Sequence, residues 1–137
     1  MLIDAVIVYS PEKELEVLSE MAIKTKEIDW KPVIILSAVY LEKFAIFRLK
    51  EILKNRKIKL DKKIENLSLN QVSLFLYGLH QINHKEFTKI NQIRRERNRI
   101  IHQKDSSIPV FFGDKANKKY KKLVENALEI ISSLKTS

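Results

Sequence analysis

The chain has 137 residues, two glycines, three prolines, no cysteine, and 26 Lys+Arg against 17 Asp+Glu, a formal net charge of +9. A length of roughly 100–200 residues is that of a single domain, here expected to span 1–137. So few glycines argue against tight hairpins and against the glycine-rich loops that wrap a pyrophosphate, and the lack of cysteine rules out disulfides, thiolate zinc sites, iron–sulfur clusters and a cysteine nucleophile.

In chain order, Met1 to Tyr9 is apolar but interrupted by Asp4, with no basic region before it and no small-residue cleavage site after it. No signal peptide is expected, and the segment reads as a helix on the core or a short strand. Ser10-Pro11 followed by Glu12 and Glu14 is a helix start, because serine caps free N–H groups and proline suits the first turn. Leu15, Leu18, Met21 and Ala22 then mark an apolar face running to about Lys26. A second helix is predicted from Asp29 or Trp30 to about Lys54, apolar nearly all round in its first half and carrying Lys43, Arg48, Lys50, Glu51 and Lys54 in its second. Its longest uncharged run, Pro32 to Leu41, falls well short of the ~20 residues of a membrane span. A soluble, cytoplasmic protein with no membrane partner is therefore expected.

Asn55 to Lys63 reads as a basic, solvated connector. Ser68 is predicted to cap a third helix with the stripe Val72, Phe75, Leu76 and Leu79, with Gly78 suiting close packing or a stop. Asn83 followed three residues later by Glu86 is a capping-box pattern, opening a fourth helix that runs to about Gln103. Asp105 to Gly113 carries loop signals, and Asp114 is expected to cap a last helix with Tyr120, Leu123, Val124, Ala127, Leu128, Ile131 and Leu134 on one face. Apolar spacings of three and four throughout, with no sustained alternation, make the class all-α: an up-and-down bundle of about five helices.

The fourth helix carries the chemistry. From Lys85 to Lys104 it holds Lys85, Lys89, Arg94, Arg95, Arg97, Arg99 and Lys104 against only Glu86 and Glu96, and four of the protein's six arginines fall within six positions. Arginine offers phosphate a planar, bidentate fork that lysine lacks. Arg97 sits where the stripe Ile90, Ile93, Ile100, Ile101 calls for an aliphatic residue. A guanidinium aimed at an apolar seam needs a partner, either a carboxylate such as Glu42 or Glu65 or a bound phosphate. Asn98 and His102, four apart, share one face, with Arg94 and Arg95 nearby. His80 and His84 are also four apart but have no convincing third ligand.

Arg97-Asn98-Arg99-Ile100-Ile101-His102 resembles the Arg-x4-to-6-His motif of the HEPN (higher eukaryotes and prokaryotes nucleotide-binding) superfamily, including the polar residue after the arginine. The order of helices over about residues 30 to 134 is similar too, with an acidic residue inside the long apolar helix, in SAVYLEKF. The resemblance implies a dimerising helical domain that acts as an endoribonuclease without metal or other cofactor, often a toxin or defence effector. Arg97 would then contact the scissile phosphate, His102 would transfer a proton, and Asn98 would orient one of them. Glu42 would match the acidic position, and Arg94, Arg95 and Arg99 would be the RNA-binding cations. An antitoxin such as a minimal nucleotidyltransferase is an implied candidate partner, although some such toxins carry a tyrosine two positions after the histidine, where Lys104 stands here. Five residues along a helix rotate about 140°, so Arg97 and His102 of one chain diverge. A composite site in a homodimer is the expected solution.

Overall fold

The computed structural model describes residues 10–25, 29–102 and 111–136. Five helices make up the fold: α1 (Pro11–Lys24), α2 (Trp30–Asn55), α3 (Leu69–Gly78), α4 (His84–Ile101) and α5 (Asp114–Thr136), with a 3-10 turn at Lys62–Asn66. The fold is all-α, with no strand among the described residues. Met1 to Tyr9 and most of the loop before α5 lie outside the described residues.

The helices begin where side chains satisfy their free N–H groups. Ser10 Oγ accepts from Lys13 N at 3.1 Å, Asp29 Oδ1 accepts from Lys31 N at 2.9 Å, and both Ser68 and Asn83 form complete capping boxes, with Gln71 and Glu86 respectively. Asp114 is the first residue of α5 rather than its cap, and Asn117 N donates to Gly113 O one turn back at 2.8 Å.

Helices α2 and α3 end in matching geometry. Beyond α2, Lys57 N donates to Lys54 O and Ile58 N to Leu53 O; beyond α3, His80 N donates to Tyr77 O and Gln81 N to Leu76 O. Each is a Schellman closure, whose pivot takes the left-handed conformation that suits glycine. In this glycine-poor chain the pivots are Lys57 and His80, each at φ 59°. Gly78, only two residues before His80, lies inside α3 instead.

Cross-links fix the helix directions. Trp30 Nε1 donates to Asn117 Oδ1 at 2.9 Å near the start of both α2 and α5, while Lys135 near the end of α5 sits 5.7 Å over the Phe44 ring of α2. The two long helices therefore run parallel. Helix α4 runs against α5, with Arg99 beside Tyr120 and Lys89 beside Glu129. Helix α1 also runs opposite, as Glu14 accepts from Tyr40 and Glu12 from Lys135.

One apolar cluster joins all five helices, including Leu15, Trp30, Leu41, Leu76, Ile93 and Ile131. Truncating a residue such as Leu41 to alanine would cost about 2–5 kcal/mol by loss of transfer energy and the cavity left behind. The α3 stripe differs from the predicted one: Val72 and Leu76 are buried with Leu69 and Ser73, but Phe75 is 53% exposed. Short α3 meets the core over a narrow arc, and Phe75 lies about 100° round from Leu76. No helix of the described residues is long and apolar enough to cross a membrane.

Candidate functional site

The apolar stripe of α4 is Ile90 and Ile93, fully buried, with Ile100 packed against the core and Ile101 turned out to solvent. Arg97 falls on the same side of the helix. Its side chain is only 19% exposed, and Nη1 lies 3.9 Å from Glu42 Oε2 on α2. Of the two carboxylates named above, Glu42 is thus the partner; Glu65 pairs with Lys50 instead. Arg97 Nε also donates to Asn98 Oδ1 at 3.3 Å, so Arg97 meets both Asn98 and Glu42.

This arrangement explains how the guanidinium is tolerated beside the core. A separation of 3.9 Å is an attraction between charges, too long for a hydrogen bond. Glu42 therefore offsets the charge of Arg97 without taking up the donors of its terminal nitrogens. The guanidinium can accept a second anion on its outer edge.

His102 is the C-cap of α4, and its backbone N–H donates to Asn98 O at 2.9 Å. Its side chain is exposed and has no partner among the described residues. Asn98 links the two ends of the motif, its side chain meeting Arg97 and its carbonyl meeting His102.

The remaining arginines separate. Arg94 Nε donates to Asn91 Oδ1 at 3.1 Å. Arg95 is exposed on the α5 side, lining a groove with Gln92, Glu96, Lys119 and Leu123. Arg99 is bound to the Glu96 carboxylate, donates to Tyr120 Oη at 2.9 Å and sits 5.9 Å over the Phe111 ring. Of the expected set of RNA-contacting arginines, Arg95 and Arg99 therefore share the α5 side of the helix, with Arg99, 41% exposed, tied to Glu96 and Tyr120, while Arg94 turns back to Asn91.

Glu96 is the hub of that network, which sequence spacing did not reveal. It accepts from Tyr120 Oη at 2.7 Å and pairs with Lys119 at 3.6 Å. Burial pushes the Glu96 carboxyl up, but the hydrogen bonds from Arg99 and Tyr120 and the charges of Lys119 and Arg99 outweigh it and hold the group below the usual carboxylate range. Burial, followed by the bond to Glu96, pushes the Tyr120 hydroxyl up. The network locks the last turns of α4 onto α5, which fixes the helix that carries Arg97 and His102.

Among the described residues there is no group of three or more His, Cys, Asp or Glu placed to hold a metal ion. His84 instead packs against the Tyr77 ring, with centroids 6.0 Å apart. No protein-family model matches the sequence, and neither does any curated protein or solved structure.

Proposed function

We propose that this chain is a HEPN-like endoribonuclease of the toxin or defence-effector kind, acting on RNA in the cytoplasm as a homodimer. The observation that carries this reading is the contact of Arg97 with Asn98 and Glu42, one helical turn before an exposed His102. Cleavage through the ribose 2′-OH needs a group that moves protons near neutral pH and a cation at the pentavalent phosphate. Histidine and arginine supply these two functions.

In the proposed reaction one His102 takes the 2′-hydroxyl proton as that oxygen attacks phosphorus. The bond from phosphorus to the 5′-oxygen breaks, the leaving oxygen receives a proton, and the products are a 2′,3′-cyclic phosphate and a 5′-hydroxyl. Arg97 binds the phosphoryl oxygens as their charge grows, Glu42 holds the guanidinium in place, and Asn98 sets the spacing between Arg97 and the turn bearing His102. Because the two side chains diverge around the helix, a second copy placed antiparallel completes the pair around one cleft. An antitoxin, for example a small nucleotidyltransferase, fits this reading as a partner.

One observation favours a second reading. Arg97 already has a carboxylate partner, as an arginine with a purely structural role would. The chain would then be a non-catalytic HEPN-like module that binds a nucleotide, RNA or an antitoxin-like partner.

RNA cleavage in EDTA by the wild type, Arg97→Ala and His102→Ala separates the two. The nuclease reading requires cleavage by the wild type and its loss in both variants with helicity intact. RNA binding without cleavage establishes the module, and full activity in either variant removes that residue from the mechanism.

A further inference from the structure

One unneutralised positive surface of this protein lies away from the arginine-rich helix. On α2, Lys43, Phe47, Lys50 and Lys54 recur at i, i+4, i+7 and i+11, the spacing that stacks side chains along one helix face. Phe47 is 56% exposed, an unusual position for a phenylalanine flanked by lysines. Lys50 pairs with Glu65, whereas Lys43 and Lys54 are exposed and make no ion pair among the described residues. The stripe leads into the connector, where Arg56, Lys57, Lys59, Lys62 and Lys63 are all exposed and likewise unpaired among the described residues. On α4, Lys89, Arg97 and Arg99 are each held by a carboxylate, and Lys85, Arg94 and Arg95 make no ion pair among the described residues but have no exposed Phe, Tyr or Trp among them on that helix.

We infer that this stripe is a track for single-stranded RNA, with Phe47 stacking on a base and the lysines on α2 and in the connector following the phosphates. The inference rests on the proposed action on RNA and extends it to the kind of RNA taken. Glu42, which holds Arg97, directly precedes Lys43 on α2, so the track starts at the same level of the helix as the candidate site and about 100° round from it. From Lys43 to Lys54 it runs about 16 Å at the rise of an α-helix.

The composition of the stripe selects the ligand. A cationic path with an aromatic platform is how sequence-tolerant single-strand sites are built, since every base has a face to stack. A duplex keeps its bases stacked on one another and offers none to Phe47. Protein interfaces are enriched in arginine and depleted in lysine, and here six of the seven unpaired cations, all but Arg56, are lysine. A second copy of the same surface would bring like charges together.

The test is fluorescence anisotropy with labelled oligouridine of about 12 nucleotides, within the ~4–16 that a single-strand site covers, in the His102→Ala background so that the RNA stays whole. Phe47→Ala should weaken binding roughly tenfold, and Phe47→Trp should restore it. Replacing Lys54, Lys59 and Lys62 together by alanine should reduce the slope of log affinity against log salt by about two. All these positions are exposed, so the variants should keep the wild-type melting temperature. The track is overturned if Phe47→Ala binds as the wild type does, if a duplex of the same length binds as tightly, or if phosphatidylserine vesicles bind and the oligonucleotide does not. The nuclease reading fails separately, by absence of cleavage with these binding results intact. Undiminished cleavage of the same oligonucleotide by Phe47→Ala overturns the track alone.

Discussion

Arg97 and Glu42 meet between α4 and α2 with 3.9 Å separating Nη1 from Oε2, close enough to balance charge and too far to hydrogen-bond. Glu42 is about one-third exposed, so solvent screens the attraction and its contribution to stability is at most about 1 kcal/mol. Glu42→Gln should therefore shift thermal unfolding only slightly while lowering RNA cleavage, because the guanidinium loses its anchor. A fall of several kcal/mol in stability, with activity unchanged, would assign the pair to the fold alone.

His102 should behave differently from its neighbours in the core. It is exposed and contributes its backbone, not its ring, to closing α4. His102→Ala should cost no more than about 0.5 kcal/mol in denaturant unfolding, yet reduce cleavage by about 10²-fold or more. Ile93→Ala, buried on the same helix, should show the reverse balance, costing about 2–5 kcal/mol.

The Glu96–Tyr120–Arg99 network makes stability sensitive to acid. The folded pKa of Glu96 lies below that of the unfolded chain, so the unfolded state binds the proton first. The stabilisation is full above the unfolded carboxylate value of about 4.3 and is lost as pH falls through the lower folded value. Tyr120→Phe removes one of the bonds that hold this carboxylate ionised. It should destabilise the protein by roughly 1–2 kcal/mol at neutral pH and raise the midpoint of acid unfolding, both measurable by circular dichroism.

Tyr40 gives the opposite dependence at alkaline pH. The hydrogen bond from its hydroxyl to Glu14, then burial, then the Glu14 charge push it up to about 12. A raised folded pKa means stability present below the unfolded value of about 10 and lost as pH rises through 12. Tyr40→Phe should flatten that decline and should remove the part of the phenolate absorbance that the wild type gains near pH 12.

Lys57 and His80 occupy left-handed pivots at φ 59°. For a residue with a Cβ this conformation costs about 1–2 kcal/mol. Lys57→Gly and His80→Gly should each raise stability by up to about 1 kcal/mol, the gain reduced by the greater freedom of glycine in the unfolded chain. An unchanged or lower melting temperature for both would show that the pivots are not strained.

Helix class and most helix starts were legible before the structure because they depend on neighbours in sequence. Ser10, Ser68 and Asn83 cap groups within three residues of themselves, and Ile90 and Ile93 repeat at a helical period whatever they face. The oddity of Arg97 was legible for the same reason, as a charge in an apolar register. Tertiary packing decided which of two carboxylates answers it, since α2 passes α4 at Glu42 and carries Glu65 elsewhere. Packing also set Phe75 outside the core, engaged Arg99 with Glu96 and Tyr120, and left Phe47 exposed among lysines. Periodicity shows that a helix has an apolar side, but how wide an arc is covered depends on the neighbouring helices, and ion pairs form between residues distant along the chain. The sequence alone therefore determined an all-α chain with a basic helix bearing Arg97, Asn98 and His102. The tertiary structure decided which of its cations are neutralised and which remain open to a polyanion.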